Sequence, residues 1–319
     1  QEDRPTRSSW RFCYPEGMRR HPLFKAYLAL AAICFFWGTT YLGIRMALES
    51  FPPMVLVSAR FIASGAILLA AASLARAHLP RGRDLAMPAL TGFLVLGVGN
   101  ACLTVAELWI PSGLAALIIT VSPFWMVGIE ALMPGGERLH KLGVLGMLVG
   151  LGGAALLLSS DISGSSFGGG LLRGFLVLQL GNASWSFGSI YQRRQATPAH
   201  PVVTGAVQQL AAGLAFLPAA LLVPAHPVRW SFRGVAALVY LIIFGSIVGY
   251  SAYIYALSHL SVAVVSIYPY VNPVVAVALG WLFYREPFGA REAAAMAIIF
   301  AGVVLVKRST PGARVPASG

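Results

Sequence analysis

Three ionisable side chains stand inside long apolar stretches: Arg60, Glu107 and Glu130. A charge at the centre of a membrane span costs about 2.5–3.5 kcal/mol on insertion scales, so such residues face inward and are paired or functional. Glu107 sits about one turn below the outer end of its stretch, and Arg60 about two turns below the outer end of its own. Two readings stand. Arg60 and Glu107 form a structural ion pair, or Glu107 takes up a proton or meets a substrate amine; both residues are coupling candidates. Glu130 lies within a turn of the inner end of its stretch and is expected to snorkel to the interface.

Polar and aromatic residues recur on defined faces. Leu96, Asn100, Leu103 and Glu107 follow one another at spacings of four, three and four, as do Ser246, Tyr250, Tyr253 and Leu257. On a helix that spacing is one face. A lipid-facing strip would not carry Asn, Glu and two Tyr, so these faces are expected to look inward, at each other or at a cavity. Tyr268, Tyr270, Asn272, Trp37 and Trp185 extend the same wall. Rings with polar tips suit an amphipathic organic ligand. The expected substrate-binding set is Trp37, Asn100, Leu103, Glu107, Trp185, Tyr250, Tyr253, Tyr268 and Asn272. Taken singly, each aromatic also reads as core packing or as part of an interfacial belt.

Prolines sit at matching places in two stretches: Ser122-Pro123 and Asn272-Pro273, with Pro269 one turn earlier. Proline removes a backbone donor and frees the carbonyl four residues back, here those of Ile119, Pro269 and Val265. Freed carbonyls at bilayer depth are tolerated against protein or a watery cavity. Pro123, Pro269 and Pro273 are therefore expected to break or hinge their helices beside a midplane site.

Long apolar helices must position these residues. The chain has 319 residues, 57% hydrophobic and 11% charged, with mean hydropathy +0.75. A soluble domain carries about 25% charged residues, so a membrane protein is expected. Apolar segments near 25–45, 53–75, 87–109, 112–133, 139–158, 170–191, 201–223, 233–257, 261–284 and 289–306 each approach the roughly 20 residues a span needs.

The second half repeats the first. Trp37 corresponds to Trp185, Pro53 to Pro201 and Gly65 to Gly213, each 148 residues on. Gly99 corresponds to Gly249, Ala106 to Ala256 and Pro123 to Pro273, each 150 on; Glu137 to Glu286 and Gly153 to Gly302, each 149 on. An odd number of spans per unit turns the second copy upside down. The expected fold is all-α integral membrane, with ten transmembrane helices in two inverted-topology five-helix repeats, an arrangement of secondary transporters. The expected units are 1–24, an N-terminal tail; 25–158, the first repeat; 159–169, a Gly/Ser linker; 170–306, the second repeat; and 307–319, a C-terminal tail.

The net charge of +12 invites a nucleic-acid reading, but its distribution argues against one. With the N-terminus inside, the outer basic residues are Arg45, Arg173, Arg229, Arg233, Arg285 and Arg291; Arg60 is intramembrane and the other sixteen are inside. The cytoplasmic enrichment places both termini in the cytoplasm. The bias is clear in the first half and weak in the second. The first apolar segment lacks a small-residue cleavage site and is read as a retained span. Met18, before Arg19-Arg20-His21, is expected to be the natural start, leaving residues 1–17 in part non-native.

Cys13, Cys34 and Cys102 form no disulfide framework or metal motif. Gly143, Gly146, Gly150 and Gly153 share a helix face, with Ala294, Ala297 and Ala301 matching in the repeat. Such faces pack helices closely in lipid, within the fold or across a homodimer. Glu137 and Glu286 are expected to cap the N-terminus of the helix that follows each of them. His259 is expected to be solvated.

Enzyme classes fit poorly. Asp3, Asp84 and Asp161 all lie outside the apolar segments, HExxH is missing, and no His falls within a span to serve Ser64. No GxxxxGK[ST] run binds ATP. No cofactor is expected. The partners expected are a small-molecule substrate and the bilayer, with or without protons.

The text Trp37-Gly38-Thr39-Thr40-Tyr41-Leu42-Gly43-Ile44-Arg45, Pro52-Pro53, Ala59-Arg60-Phe61, Gly99-Asn100, Ala106-Glu107, Pro111-Ser112-Gly113-Leu114-Ala115-Ala116-Leu117 and Ser122-Pro123 resembles the EamA-type drug/metabolite transporter superfamily. So do Tyr268-Pro269-Tyr270-Val271-Asn272-Pro273-Val274 and Glu286 in the second half. The resemblance spans about 25–308 and implies a ten-helix bundle around a central cavity. Spans one, three, four, six, eight and nine would line it, with five and ten peripheral. It is similar to the branch of inner-membrane metabolite or drug exporters. An importer or facilitator with the same fold is the alternative reading. Leu108 stands where that branch has Gln, and Trp125 lies beside the kink; both departures bear on substrate.

Overall fold

The computed structural model describes residues 20–77, 82–135, 140–162, 169–194, 201–222, 226–260, 265 and 268–309. Among these residues the secondary structure is helical throughout, as the apolar segments predict. The order is α1 (Arg20–Leu48), α2 (Pro53–Leu74), α3 (Arg83–Gly92), a π-helical segment (Phe93–Val98), α4 (Gly99–Ala106), α5 (Ser112–Ile119), α6 (Ser122–Leu132) and α7 (Lys141–Ile162). Then come α8 (Gly170–Arg194), α9 (Pro201–Leu222), α10 (Phe232–Tyr240), a second π-helical segment (Leu241–Val248), α11 (Gly249–His259), α12 (Tyr268–Tyr284) and α13 (Ala290–Ser309).

Six stretches among the described residues are long and apolar enough to cross a membrane: Phe24–Leu48, Pro53–Leu74, Asp84–Ala106, Ser112–Leu132, Val202–Leu222 and Phe232–Ala256. The exterior agrees with their composition. Leu74, Leu132, Leu148, Leu176, Leu180, Leu221, Trp281, Leu282 and Phe283 are exposed. Apolar surface on that scale suits lipid, not water.

Local sequence explains the boundaries. Pro53 opens α2 at a position where its missing N–H would have had no partner anyway. Pro123 does the same for α6, after the chain turns at Thr120 and Val121. The fourth segment is therefore two helices, as Pro123 predicts. Pro273 differs. Helix α12 runs through it unbroken, and Asn272, with its amide turned so that the nitrogen faces the two acceptors around it, donates to the carbonyls of Tyr268 (3.0 Å) and Cys34 (3.1 Å). Pro269 is the second residue of the same helix.

Helices from the two halves pack against each other in matching pairs. Helix α2 lies along α9, and α7 along α13. A Cβ on Gly65 would sit 2.8 Å from the Leu210 backbone nitrogen, and one on Gly213 would sit 2.6 Å from that of Ile62. Similarly a Cβ on Gly146 or on Gly302 would meet the other's carbonyl oxygen at 2.6 Å. The glycine face of α7 thus packs within the fold. Its counterpart is a correction: α13 presents Ala295, Ile299 and Gly302, whereas Ala294, Ala297 and Ala301 are exposed. Backbone approach against Gly146 selects Gly302, one helical row away from the alanines.

Glu286 caps a helix, but not the one that follows it. Its carboxylate accepts from the Ser112 amide and hydroxyl (both 2.9 Å to Oε1) and from the Gly113 amide (3.0 Å to Oε2). It closes the N-terminus of α5, in the other half of the chain. The reason is long-range packing: α12 delivers Glu286 beside α5, where two amide groups lack intrahelical acceptors. Residues 159–162, expected to open the Gly/Ser linker, continue α7 instead; Glu137, residues 163–168 of that linker and the Leu257 side chain lie outside the described residues.

Candidate functional site

A cavity with about 130 Å³ of room for the centres of water molecules opens between the two halves. From the first half, α1 supplies Trp37, Thr40 and Tyr41, α2 supplies Arg60 and Phe61, and the third segment supplies Leu96, Gly99, Asn100 and Leu103. The break between α5 and α6 contributes Ile119 and Ser122. From the second half come Asn182 and Trp185 on α8, Gln209 on α9, Gly245, Ser246 and Tyr250 around the second π-helical segment, and Tyr268, Pro269 and Asn272 on α12.

The π-helical segments flank this cavity at equivalent places in the repeat. Phe93–Val98 precedes Gly99-Asn100, and Leu241–Val248 precedes Gly249-Tyr250. Bonding to the fifth residue widens the turn and rotates whatever follows. Each π turn therefore shifts the residues before it relative to those after it, while Glu107 closes the end of α4 and Tyr253 lies within α11. Leu96, Asn100 and Leu103 line the cavity, as do Ser246 and Tyr250. Glu107 and Tyr253 do not.

Two indoles face one another across the site. Trp37 and Trp185 meet edge to face with centroids 6.5 Å apart. The Trp37 indole N–H donates to the Gly245 carbonyl (3.1 Å). Behind it Tyr253 and Tyr268 pack at 5.3 and 5.0 Å, so Tyr253 supports the wall from behind. A Cβ on Gly249 would lie 2.5 Å from the Trp37 Nε1, and one on Gly99 would lie 3.1 Å from the Trp185 ring. The repeated glycines make room for the repeated tryptophans.

The expected Arg60–Glu107 pair does not form. Arg60 is buried, and its Nε–H donates to the Ser246 hydroxyl (2.8 Å) while Nη1 reaches the Asn100 carbonyl oxygen (3.4 Å). The ion pairs among the described residues join Glu130 to Arg193 and Arg194, and Glu49 to Arg233. Glu130 is thus held at 2.8 and 2.7 Å by two arginines of α8 rather than snorkelling freely. Glu107 is fully buried and both its carboxyl oxygens lack a hydrogen-bond partner among the described residues. Arg45 donates instead to the Glu107 backbone carbonyl (2.6 Å). The helix pitch favoured an Arg60–Glu107 contact, but α1 brings Arg45 to the end of α4 at Glu107 while Arg60 turns to Ser246.

Gln208 and Gln209 were missed by the sequence reading. Gln209 lines the cavity, donates to the Ser246 carbonyl (3.4 Å) and accepts from the Ser64 hydroxyl. Gln208 donates to Thr91 (3.1 Å) and Gln192 (3.0 Å), and accepts from the Tyr250 hydroxyl. The signal was present: two adjacent amides inside an apolar span are expensive unless bonded inward. Asn182, an amide within an apolar span, was missed likewise, and so was Tyr41 beside Thr40.

Comparison with known proteins follows the same two halves. Residues 24–159 and 172–308 each match the EamA-like transporter family. The chain is 37% identical over 295 residues to the uncharacterized inner membrane transporter YedA of Escherichia coli K12, covering 91% of this chain and 92% of that protein. It is 30% identical over 302 residues to a protein of Streptantibioticus cattleyicolor named "Probable terminal-alkyne amino-acid exporter", covering 93% and 98%. A solved crystal structure aligns with TM-score 0.63 and 24% identity over 89% of this chain and 96% of that one, which is likeness of fold.

Proposed function

The chain belongs to the EamA-like transporter family, and we propose that it is a secondary transporter that exports small amphipathic solutes by alternating access. Membership makes it a membrane transporter, a class distinct from enzymes. The finer reading is ten spans in two inverted five-helix units, rocking about the central cavity, with both termini cytoplasmic in a bacterial inner membrane. A relative named as an inner membrane transporter and another named as an exporter support it.

The observation that carries the reading is the cavity itself, walled by equivalent residues of both halves, with Trp37 opposite Trp185. The break at Thr120–Val121 and the paired π turns supply places where one unit can move against the other. Pro123 flanks the break at Thr120–Val121. Glu107 is the proposed proton carrier. An ionised carboxylate buried without a donor is costly, so a carboxyl kept in that setting is suited to gaining and losing a proton during the cycle.

The test is cysteine accessibility. Cysteines at 96, 100, 103, 246 and 250 are expected to react with an impermeant thiol reagent from each side of the membrane in turn, as transport shifts the equilibrium. Labelling from neither side would remove the cavity from the transport path. Everted vesicles given an imposed pH gradient and no ATP are expected to accumulate solute; accumulation that needs ATP even when the proton gradient is collapsed would exclude a secondary mechanism.

A further inference from the structure

Resting on that transport reading, we propose that the cavity selects organic monoanions, and that Arg60 is the residue that recognises the carboxylate of the substrate. Arg60 is the one charged side chain on the cavity wall among the described residues. It is more than nine-tenths buried, and no carboxylate pairs with it among those residues.

Its donors are only partly used. A guanidinium carries five N–H groups in a planar fork. Nε is taken by Ser246 and Nη1 makes a long contact with Asn100. Nη2 meets no acceptor among the described residues. Gly245 leaves space for it, because a Cβ there would lie 2.9 Å from Nη2. A buried cation without its counter-ion is strongly unfavourable, and a fork with free parallel donors matches a carboxylate.

The repeat provides an internal comparison. The position equivalent to Arg60 is Gln208 (208 − 60 = 148). Gln208 is neutral, bonded to Thr91, Gln192 and Tyr250, and stands outside the cavity lining. The same place in the architecture thus needs no cation to hold the helices together. The charge stands at the one of these two positions that lines the cavity. One guanidinium and no second cation match a monoanion in charge; a dianion would bring an uncompensated charge into an apolar site. The aromatic wall of Trp37, Phe61, Trp185 and Tyr268 suits a flat or apolar body attached to that head.

The experiment uses the purified full chain in nanodiscs and calorimetric titration with three probes of one shape: 3-phenylpropionate, 3-phenylpropionamide and 3-phenylpropylamine. The carboxylate is expected to bind roughly ten- to a hundredfold more tightly than the amide, as a hydrogen-bonded charge implies. Arg60→Gln is expected to erase the preference and Arg60→Lys to retain part of it. Asn100→Asp, which keeps Arg60 and gives it an internal carboxylate, is expected to erase it too and guards against misfolding of the Arg60 variants. Equal or tighter binding of the amide or amine overturns the anion assignment, and an unchanged preference in Asn100→Asp overturns the assignment to Arg60; both leave the transport reading standing. A carboxylate that binds yet is never exchanged across proteoliposomes overturns the transport reading alone.

Discussion

The Trp37 indole is seated on Gly249, with so little space that a single Cβ at 249 would fall 2.5 Å from its nitrogen. The contact joins α1 of one half to α11 of the other and holds the ring that forms one side of the cavity. Gly249→Ala is expected to destabilise the protein by about 1–3 kcal/mol, the range for overpacking a tight site. Gly99→Ala, with 3.1 Å to the Trp185 ring, is expected to be milder. Thermal unfolding of both variants in one detergent checks the order; a more damaging Gly99→Ala would mean that Trp37 is free to move aside.

Glu286 answers three donors at the start of α5. Glu286→Ala leaves two amides and a hydroxyl buried without acceptors, at about 1–3 kcal/mol for each unsatisfied group. A marked drop in folded yield and melting temperature is expected. Glu286→Gln keeps one oxygen and is expected to lie between the two. Should Glu286→Ala melt with the wild type, the cap would contribute nothing to stability.

Glu107→Gln removes the ionisable group from its buried site while keeping its shape. Solute exchange at equal pH is expected to continue, and accumulation driven by an imposed pH gradient to vanish. The measurement is uptake into proteoliposomes with and without the gradient. Undiminished gradient-driven accumulation would exclude Glu107 as the proton carrier.

Glu130 holds Arg193 and Arg194 at the end of α6, where the side chains are partly solvated, Arg193 to 69%. Exposed ion pairs contribute roughly 0–1 kcal/mol. Glu130→Gln is therefore expected to shift melting only slightly, and less at high salt. A loss as large as that of Glu286→Ala would place a structural role at this cluster.

Sequence by itself determined the helical, lipid-facing character of the chain, because apolar length and scarce charge leave no soluble alternative. It also paired Trp37 with Trp185, Gly99 with Gly249 and Gly65 with Gly213, since steric demands at equivalent places preserve residue size. The break before Pro123 was legible because proline chemistry is local. What only the tertiary structure decided depends on neighbours far along the chain. Arg60 bonds Ser246 rather than Glu107, Glu286 caps α5 rather than α13, and α12 stays continuous through Pro273 beside the donors of Asn272. The π turns belong to the same group. A wider turn costs hydrogen-bond geometry within one helix and is retained where packing around the cavity demands it, which no spacing along a single segment reveals.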